Sequence, residues 1–356
     1  MKGVILHGGH GTRLRPLTHT GPKQLLTIGN KPMSKYALDD LVEAGITDIA
    51  MIIGDVYPEK VKEYYGDGAK FGAKITYIYQ EKPGGIAQAI NLCKEFVGND
   101  KFVVYLGDNI LKGGIKEYAS TFNSSSADAL ILLCEVDDPS RFGIATVKDD
   151  RIERIVEKPK NADSNLAVIG IYFLTPDIFS IIDVLKPSGR GELEITEALQ
   201  NLMRNGKRIE YDYVTGWWKD TGTPQDILDA NRFMLDEVKR QIDGQVDSEN
   251  SIQGRVAIGS NTKVASGATI RGPAVVGTGC KIEAGVYIGP YTSIGNNVVI
   301  RKGELENCII MDSCEIEASG RLVDSIIGAG SKILDAHTMS PRGHRFLLGE
   351  RSQVML

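Results

Sequence analysis

A glycine-rich loop followed by several cations is the first feature of the sequence that could do chemistry. The loop is Gly8-Gly9-His10-Gly11-Thr12-Arg13, and Lys23 follows it. Glycine lets a backbone approach a phosphate closely, its amides donate hydrogen bonds, and a guanidinium fits phosphate oxygens. The pattern is neither a Walker A motif nor GxGxxG. It predicts a phosphate site of another kind, although a structural turn beside a solvated basic patch would give the same residues.

Two aspartates are candidate metal ligands. Asp108 follows the apolar run Phe102–Leu106, which places it at the carboxyl end of a predicted strand, where open α/β sheets bind ligands. Asp220 comes just before Thr223-Pro224, a sequence typical of a helix N-terminus. Carboxylate oxygens suit Mg²⁺. Taken alone, each aspartate is better explained as a turn or cap residue.

The elements that must position these residues alternate between strand-like and helix-like segments up to about residue 240. Strand-like runs are Lys2–Leu6, Asp48–Ile53, Lys74–Tyr79 and Phe102–Leu106, and helix-like runs are Pro32–Ala44 and Ile86–Val97. This order predicts an α/β, Rossmann-like fold with a mixed, mostly parallel sheet. The helix that Thr223 opens is expected to run to about Ile242, followed by a polar linker at residues 247–251.

Aliphatic residues then recur every six positions. The series is Ile252, Ile258, Val264, Ile270, Val276, Ile282, Ile288, Ile294 and Ile300. After a slip near Glu304 it resumes at Ile310, Ile316 and Leu322, and after a second slip it continues at Ile327 and Ile333. Neither a helix nor a single strand has this period, whereas a coil with three flat faces does. We therefore predict a parallel β-helix over residues 250–335, after a catalytic domain of residues 1–243. Residues 336–356 form a tail that could cap the β-helix.

The sequence resembles the sugar nucleotidylyltransferase family along most of its length. The residues LHGGHGTRLRPLTHTGPKQLLTIGNKPM are similar to the family signature, and QEKPGGIAQA, LGDN, EKP, SNLAVIGIYF, RGELEIT and WWKDTGT follow in order. The resemblance is strongest to members that carry a C-terminal β-helix, which is left-handed in those proteins. His7 departs from the pattern, because the family usually has alanine there, and Thr27 replaces the usual proline.

The resemblance implies a role for each matching residue. The nucleotide would be bound by Gly8, Gly9, Gly11, Thr12, Arg13, Gln24, Gln80, Gly85 and Asp108. The sugar phosphate would be bound by Gly143, Glu157, Lys158, Asn165, Tyr172 and Arg190. The metal Mg²⁺ would be held by Asp108 and Asp220. The catalytic set would be Arg13, Lys23, Asp108, Lys158 and Asp220.

The implied reaction is transfer of a nucleotidyl group from dTTP to glucose 1-phosphate, giving dTDP-glucose and pyrophosphate. Gln24 favours dTTP, because uridylyl relatives typically have glutamate at that position. An amide can both donate to and accept from the edge of a pyrimidine, which also applies to Gln80. A uridylyltransferase that uses UTP with glucose 1-phosphate or N-acetylglucosamine 1-phosphate is the alternative.

Composition limits the other partners. The formal net charge is −5, so we expect no general affinity for nucleic acid or anionic membranes. The five cysteines form no CxxC pair, which favours a reducing, cytoplasmic location over a disulfide framework. We expect no membrane-spanning segment, and a homo-oligomer assembled through the β-helix.

Two other functions are consistent with the same architecture. Some relatives use the β-helix as an acyltransferase with a catalytic histidine, but residues 252–333 contain no histidine. A regulatory relative that has lost activity is a second alternative. Its phosphate-binding and metal-binding residues should have been replaced, whereas Arg13, Lys23, Asp108, Lys158 and Asp220 are all present.

Overall fold

The computed structural model describes residues 1–248, 251–335 and 345–355. The chain divides into two compact units. The first comprises Met1–His10, Thr20–Leu25 and Met33–Asp220, and the second comprises Gly11–His19, Leu26–Pro32 and Thr221–Leu356. Within the described residues, no helix has the length and apolar character that crossing a membrane would require.

The strands before the hexad region alternate with helices, as expected. The strands are β1 Lys2–His7, β2 Thr27–Ile28, β3 Lys31–Pro32, β4 Asp48–Ile53, β5 Lys74–Tyr79, β6 Phe102–Leu106, β7 Asn109–Leu111, β8 Ala129–Glu135, β9 Gly143–Lys148, β10 Arg151–Glu157, β11 Leu166–Leu174, β12 Ile209–Tyr213 and β13 Trp218–Asp220. The helices are α1 Met33–Glu43, α2 Pro58–Tyr65, α3 Ile86–Asn91, α4 Lys94–Val97, α5 Lys116–Ser124, α6 Asp177–Ile182, α7 Ile195–Arg204 and α8 Pro224–Asp236.

The first unit is built on one mixed sheet in the order β10-β9-β11-β6-β1-β4-β5, with β8 joining β11 to β12. Strands β6, β1, β4 and β5 are parallel, and β11 is antiparallel to β6, β8 and β9. Side chains alternate across this sheet. Val4 and Leu6 accordingly belong to one apolar cluster, while Ile5 belongs to the cluster on the opposite face. The expected Rossmann-like α/β fold is confirmed.

The second unit contains the β-helix. Its strands are β14 Gln241–Ile242, β15 Gln245–Val246, β16 Ile252–Gln253, β17 Val256–Ile258, β18 Lys263–Val264, β19 Thr269–Arg271, β20 Ala274–Val276, β21 Lys281–Ile282, β22 Tyr287–Ile288, β23 Thr292–Ile294, β24 Val299–Glu306, β25 Ile309–Ile310, β26 Glu315–Val323, β27 Ile326–Ile327 and β28 Lys332–Ile333. All of their pairings are parallel, and Ile258 pairs with Val276, which pairs with Ile294. One coil is therefore three hexads long, and the coils are consistent with the left-handed β-helix expected.

The hexad aliphatics form the core of these coils. Ile270, Ile288 and Ile300 have no exposed surface, and the whole series from Ile252 to Ile300 lies in one buried cluster. The slip near Glu304 is accommodated in β24, where the register shifts and Leu305 becomes the inward residue.

Helix α8 ends earlier than we expected. We predicted a helix from Thr223 to about Ile242, but α8 ends at Asp236, and Gln241–Ile242 is already a strand that pairs with β17. The reason is burial: Ile242 packs against the apolar core of the coils. The predicted domain limits remain a prediction, as does the cap role of the tail, of which residues 336–344 and 356 lie outside the described residues.

A buried amide lies where α8 and the β2–β3 hairpin meet the coils of the second unit. Asn231 has no exposed surface. Its Oδ1 accepts hydrogen bonds from Gly29 N (2.9 Å) and Ser293 Oγ (2.6 Å), and its Nδ2 donates to Tyr291 O (3.0 Å). Its hydrogen-bonding groups thus bind two segments, the β2–β3 hairpin and one coil, that are both distant from it in sequence.

Candidate active site

A partly buried ion pair between Lys23 and Asp108 is the centre of the candidate site. Asp108 follows β6 at the carboxyl end of that strand, and Lys23 lies in the short 3-10 turn Lys23–Leu25. The lysine Nζ donates to Asp108 Oδ2. Burial raises the pKa of Asp108, but the Lys23 charge and hydrogen bonds from Lys23 and Asn109 outweigh it, so the pKa is lowered. The carboxylate is therefore held ionised.

Asn109 fixes both predicted metal ligands. Its Nδ2 donates to Asp108 Oδ1 (3.0 Å), and its backbone pairs with that of Asp220 where β7 and β13 run antiparallel. Its Oδ1 accepts from Trp218 Nε1 (2.7 Å) and Gly170 N (3.1 Å). The two aspartates therefore originate at one end of a two-stranded ladder. Asn109 was not predicted, although the LGDN motif contains it.

These carboxylates fit a divalent cation only together with other donors. Among the described residues, no group of three or more His, Cys, Asp or Glu side chains could hold a metal. Two hard carboxylates would leave the remaining positions to phosphate oxygens and water, which is the usual arrangement for Mg²⁺ in enzymes that bind nucleotides.

Three predicted nucleotide residues meet at the end of β1. Gln24 Nε2 donates to Gly8 O (2.8 Å). A Cβ added at Gly8 would lie 2.8 Å from Gln80 Oε1, so the end of the Gln80 side chain would have to move to admit a larger residue. Both glutamines are buried, and Gln24 Oε1 is a buried acceptor without a partner. A buried unsatisfied oxygen is costly, so this arrangement indicates an acceptor kept for a ligand N–H.

Gly85 connects the predicted nucleotide turn to the loop that carries Arg190. Gly85 has a φ of 99°, and a Cβ there would lie 2.5 Å from Leu193 O. Around it, Leu193 N donates to Gly84 O (2.8 Å) and Ala87 N donates to Leu193 O (3.1 Å). Both the positive φ and the close approach require glycine.

The predicted sugar-phosphate residues form a second cluster in the same unit. Glu157 Oε1 lies 3.4 Å from Lys158 Nζ and 3.1 Å from Arg190 Nη2. Burial lowers the pKa of Arg190, but the hydrogen bond and charge of Glu194, followed by the charges of Glu157 and Glu192, raise it overall. Lys158 has a φ of 42°, which is unusual for a residue with a side chain.

Gly143 and Thr196 complete this cluster. Gly143 pairs with Glu157 in the β9–β10 hairpin, and a Cβ there would lie 2.4 Å from Thr196 Cγ2. Thr196 Oγ1 donates to Glu157 Oε2 (3.1 Å). Thr196 and Glu194 were not among the predicted site residues, although both lie in the motif RGELEIT. A cavity of about 460 Å³ between β10 and α7 is lined by Glu157, Lys158, Arg190, Glu194 and Thr196, among others.

The remaining residues that were predicted to bind the sugar phosphate are Tyr172 and Asn165. Tyr172 is buried in β11, and burial, together with the charges of Glu157 and Asp108, raises the pKa of its hydroxyl. Asn165 is exposed, and its carbonyl accepts from Val136 N (3.0 Å).

The rest of the glycine loop is divided between the units. Gly9, with a φ of 95°, belongs to the first unit. Gly11, Thr12 and Arg13 belong to the second, where Gly11 precedes the 3-10 turn Thr12–Leu14 and its carbonyl accepts from Thr18 Oγ1 (2.9 Å). Thr12 and Arg13 are exposed.

His7 is buried, and its imidazole ring makes no hydrogen bond to any described residue. Its ring lies edge-on to Tyr65, with 5.9 Å between ring centroids, and neither ring nitrogen has a partner. Burial lowers its pKa to about 3, although the charge of Asp108 acts in the opposite direction. The imidazole is therefore neutral at physiological pH.

Together, the fold and these clusters define a nucleotidyltransferase domain followed by a β-helix. The nucleotidyl transferase family model matches residues 2–237, and a model described as the GMPPB C-terminal domain matches residues 270–354. The chain belongs to the nucleotidyl transferase family, and its activity is sugar nucleotidyl transfer.

Two relatives are similar to this chain over essentially its whole length. Low-salt glycan biosynthesis nucleotidyltransferase Agl11 of Haloferax volcanii is 48% identical over 357 residues and 100% of both chains. Glucose-1-phosphate thymidylyltransferase of Streptomyces antibioticus is 44% identical over 356 residues and 99% of each chain. A solved Bacillus anthracis structure, provisionally described as glucose-1-phosphate thymidylyltransferase in complex with a sucrose, is 45% identical with a TM-score of 0.63. It covers 65% of this chain and 94% of its own.

Proposed function

We propose that the protein transfers a thymidylyl group from dTTP to glucose 1-phosphate, giving dTDP-glucose and pyrophosphate. The carrying observation is the pair of clusters in the first unit, joined at Leu193 and Gly84. One cluster has a buried amide acceptor beside a close-approach glycine, and the other has the cations Lys158 and Arg190 around a carboxylate.

The attacking group is a phosphate oxygen of the sugar 1-phosphate, which is already anionic at neutral pH because its second pKa is about 6. No general base is needed, and the barrier consists mainly of charge repulsion and alignment. Lys158 and Arg190 hold the attacking phosphate, while Arg13 and Lys23 neutralise the triphosphate. Catalysis of this kind rests on positioning and electrostatic stabilisation.

Asp108 and Asp220 would hold Mg²⁺. When bound, the ion supplies charge stabilisation to phosphate oxygens and to the departing pyrophosphate. The lowered pKa of Asp108 supports this assignment, because a metal ligand must be ionised. Asn109 orients Asp108 and aligns the backbone that carries Asp220.

Base selection is assigned to Gln24 and Gln80. Gln24 Oε1 is buried without a described hydrogen-bond partner, and it would accept from an N–H such as the one at N3 of thymine. Uracil presents the same edge and differs only by a methyl group. A methyl in an apolar pocket is worth about 1–3 kcal/mol, so UTP use is the second candidate.

The test is a matrix of nucleoside triphosphates against sugar 1-phosphates, measured as pyrophosphate release. We expect dTTP with glucose 1-phosphate to give the highest kcat/KM, with UTP next by roughly 10–200-fold. Gln24→Glu should weaken dTTP use and narrow that gap. Preference for a purine nucleotide would refute the base-site assignment, and preference for N-acetylglucosamine 1-phosphate would refute the sugar assignment. No turnover with any pair would favour the regulatory alternative.

The cytoplasm is the proposed site of action, in keeping with five cysteines that form no disulfide among the described residues. The β-helix is proposed to join copies of the chain into a homo-oligomer, because the flat faces of a solenoid offer broad packing surfaces.

A further inference from the structure

Glu194 is a buried carboxylate committed to one cation. Only 6% of the surface of Glu194 is exposed. Its Oε1 accepts from Arg190 Nε (3.1 Å) and Nη2 (2.8 Å), and its Oε2 accepts from the same Nη2 (2.8 Å). Ser188 Oγ donates a further bond to Oε1 (2.8 Å). Charge-assisted contacts of this forked kind fix the plane of a guanidinium as well as its position.

The backbone around Glu194 is held on both sides. Leu193, just before it, is bonded to Gly84 and Ala87 through its amide and its carbonyl. Glu194 itself is the N-cap residue of α7, and its carbonyl accepts from Ala198 N (3.1 Å). A side chain at this position usually caps the helix. Within the described chain, the Glu194 carboxylate caps no amide of α7 and binds Arg190 and Ser188 instead.

The other carboxylates near Arg190 are placed differently. The Glu192 side chain is 47% exposed and approaches Nη2 at 3.3 Å, whereas that of Glu194 is 8% exposed. Glu157 divides its Oε1 between Arg190 and Lys158. The guanidinium hydrogen bonds to described residues use only Nε and Nη2. The Nη1 group therefore remains for a ligand oxygen.

We propose that Glu194 is a positioning residue, which orders the Arg190 guanidinium so that its Nη1 edge receives the phosphate of the sugar 1-phosphate. This inference rests on the proposed function. An arginine that is not anchored loses side-chain conformational entropy when a ligand orders it, and this loss weakens binding. With Glu194 in place, that loss is incurred on folding, and the sugar phosphate meets an ordered cation.

The experiment compares Glu194→Gln with Glu192→Gln in the full-length protein. Glutamine keeps the length of the side chain but removes the charge and one acceptor. We expect Glu194→Gln to raise KM for glucose 1-phosphate roughly tenfold, with KM for dTTP and the melting temperature close to wild type. The exposed Glu192 makes a weaker contact, so Glu192→Gln should change each constant by less than about twofold.

Two further variants distinguish the possible failures. Arg190→Ala should raise KM for glucose 1-phosphate, and if it does so while Glu194→Gln has no effect, the positioning role is wrong and the proposed function stands. If Arg190→Ala also leaves that KM unchanged, the assignment of Arg190 to the sugar phosphate fails. Should Glu194→Gln not fold, Ser188→Ala removes the bond to Glu194 Oε1 and the one that Ser188 Oγ accepts from Arg190 N (3.2 Å), while keeping every charge. It should raise the same KM about two- to threefold, and an unchanged KM would contradict the role.

Discussion

At the scale of single residues, Lys158 combines a functional charge with an unfavourable backbone conformation. Its φ of 42° favours glycine, and its amide donates to Phe142 O (2.9 Å), which holds the chain in that conformation. Residues with such angles often occur at functional sites, where they cost about 1 kcal/mol or more. The conformation aims a cation from the end of β10, where a regular strand residue would continue along the sheet.

Two substitutions at Lys158 separate the effect of its charge on binding from the effect of its backbone conformation on stability. Lys158→Ala and Lys158→Gly should both raise KM for glucose 1-phosphate at least tenfold, with KM for dTTP nearly unchanged. The free energy of unfolding of Lys158→Gly should be about 1 kcal/mol larger than that of Lys158→Ala. Steady-state kinetics and urea unfolding measure the two effects. Equal stability of the two variants would contradict the strain.

The aspartate pair gives the largest expected loss of activity. Asp108→Asn and Asp220→Asn should each reduce kcat by at least about a hundredfold, because each removes a charge next to the transferred phosphate. Circular dichroism should show a folded chain in both cases. If either variant keeps near-normal rates that depend on Mg²⁺, that aspartate is not part of the site.

His7 makes stability depend on pH. Its folded-state pKa is about 3, below the ordinary value of 6.5, so the unfolded chain takes up a proton that the native state refuses. Stability should therefore fall as pH drops from about 6.5 toward 3, by up to roughly 1.4 kcal/mol per pH unit. His7→Ala should reduce the loss between pH 7 and pH 5 by about 2 kcal/mol. An identical loss in His7→Ala would show that His7 is not the titrating group.

At the scale of elements, Gly85 joins the nucleotide turn to the segment before α7. Gly85→Ala would place a methyl group 2.5 Å from Leu193 O, whereas Gly98, also at positive φ, has no atom within 4 Å of an added Cβ. Gly98→Ala should cost about 1 kcal/mol from strain alone. Gly85→Ala should cost about 1–3 kcal/mol more and raise KM for dTTP. Equal costs in chemical unfolding would mean that the contact at Leu193 yields easily.

The elements were predictable where one short-range pattern decides them. The six-residue period located the core of the coils from Ile252 to Ile300, because burial in a three-faced coil depends only on that register. The end of α8 was not predictable, since Ile242 is drawn into a strand by neighbours in the next coil. In the site, sequence motifs identified Gln24 and Gln80. The role of Glu194 depends on burial and contacts, which the spacing of residues along the sequence does not specify.

At the scale of the whole molecule, the β-helix and α8 share buried polar contacts within the second unit. Asn231 is satisfied by Tyr291 O and Ser293 Oγ, which belong to the coils. A chain ending at Asp247 would lose both of these hydrogen bonds and keep the one from Gly29 N, and each lost bond costs about 0.5–1.5 kcal/mol.

We expect the chain ending at Asp247 to melt at a lower temperature than the full chain and to have a lower mass per particle by light scattering. Full-length Ser293→Ala, which removes one hydrogen bond to Asn231, should lower the melting temperature by a smaller amount and leave the mass unchanged. An equal mass and melting temperature for the shortened and full chains would contradict both the stabilising and the assembly roles of the coils.

The 18-residue repeat between Val256 and Ile294 also constrains how this protein can change in length over evolution. An insertion of one whole coil returns each strand to the face it occupied before, so the inward aliphatics and the corner glycines keep their places. An insertion of six or twelve residues would move every later strand onto a different face. Homologues should therefore differ in the length of this region by whole coils, and shorter insertions should collect at the corners as loops.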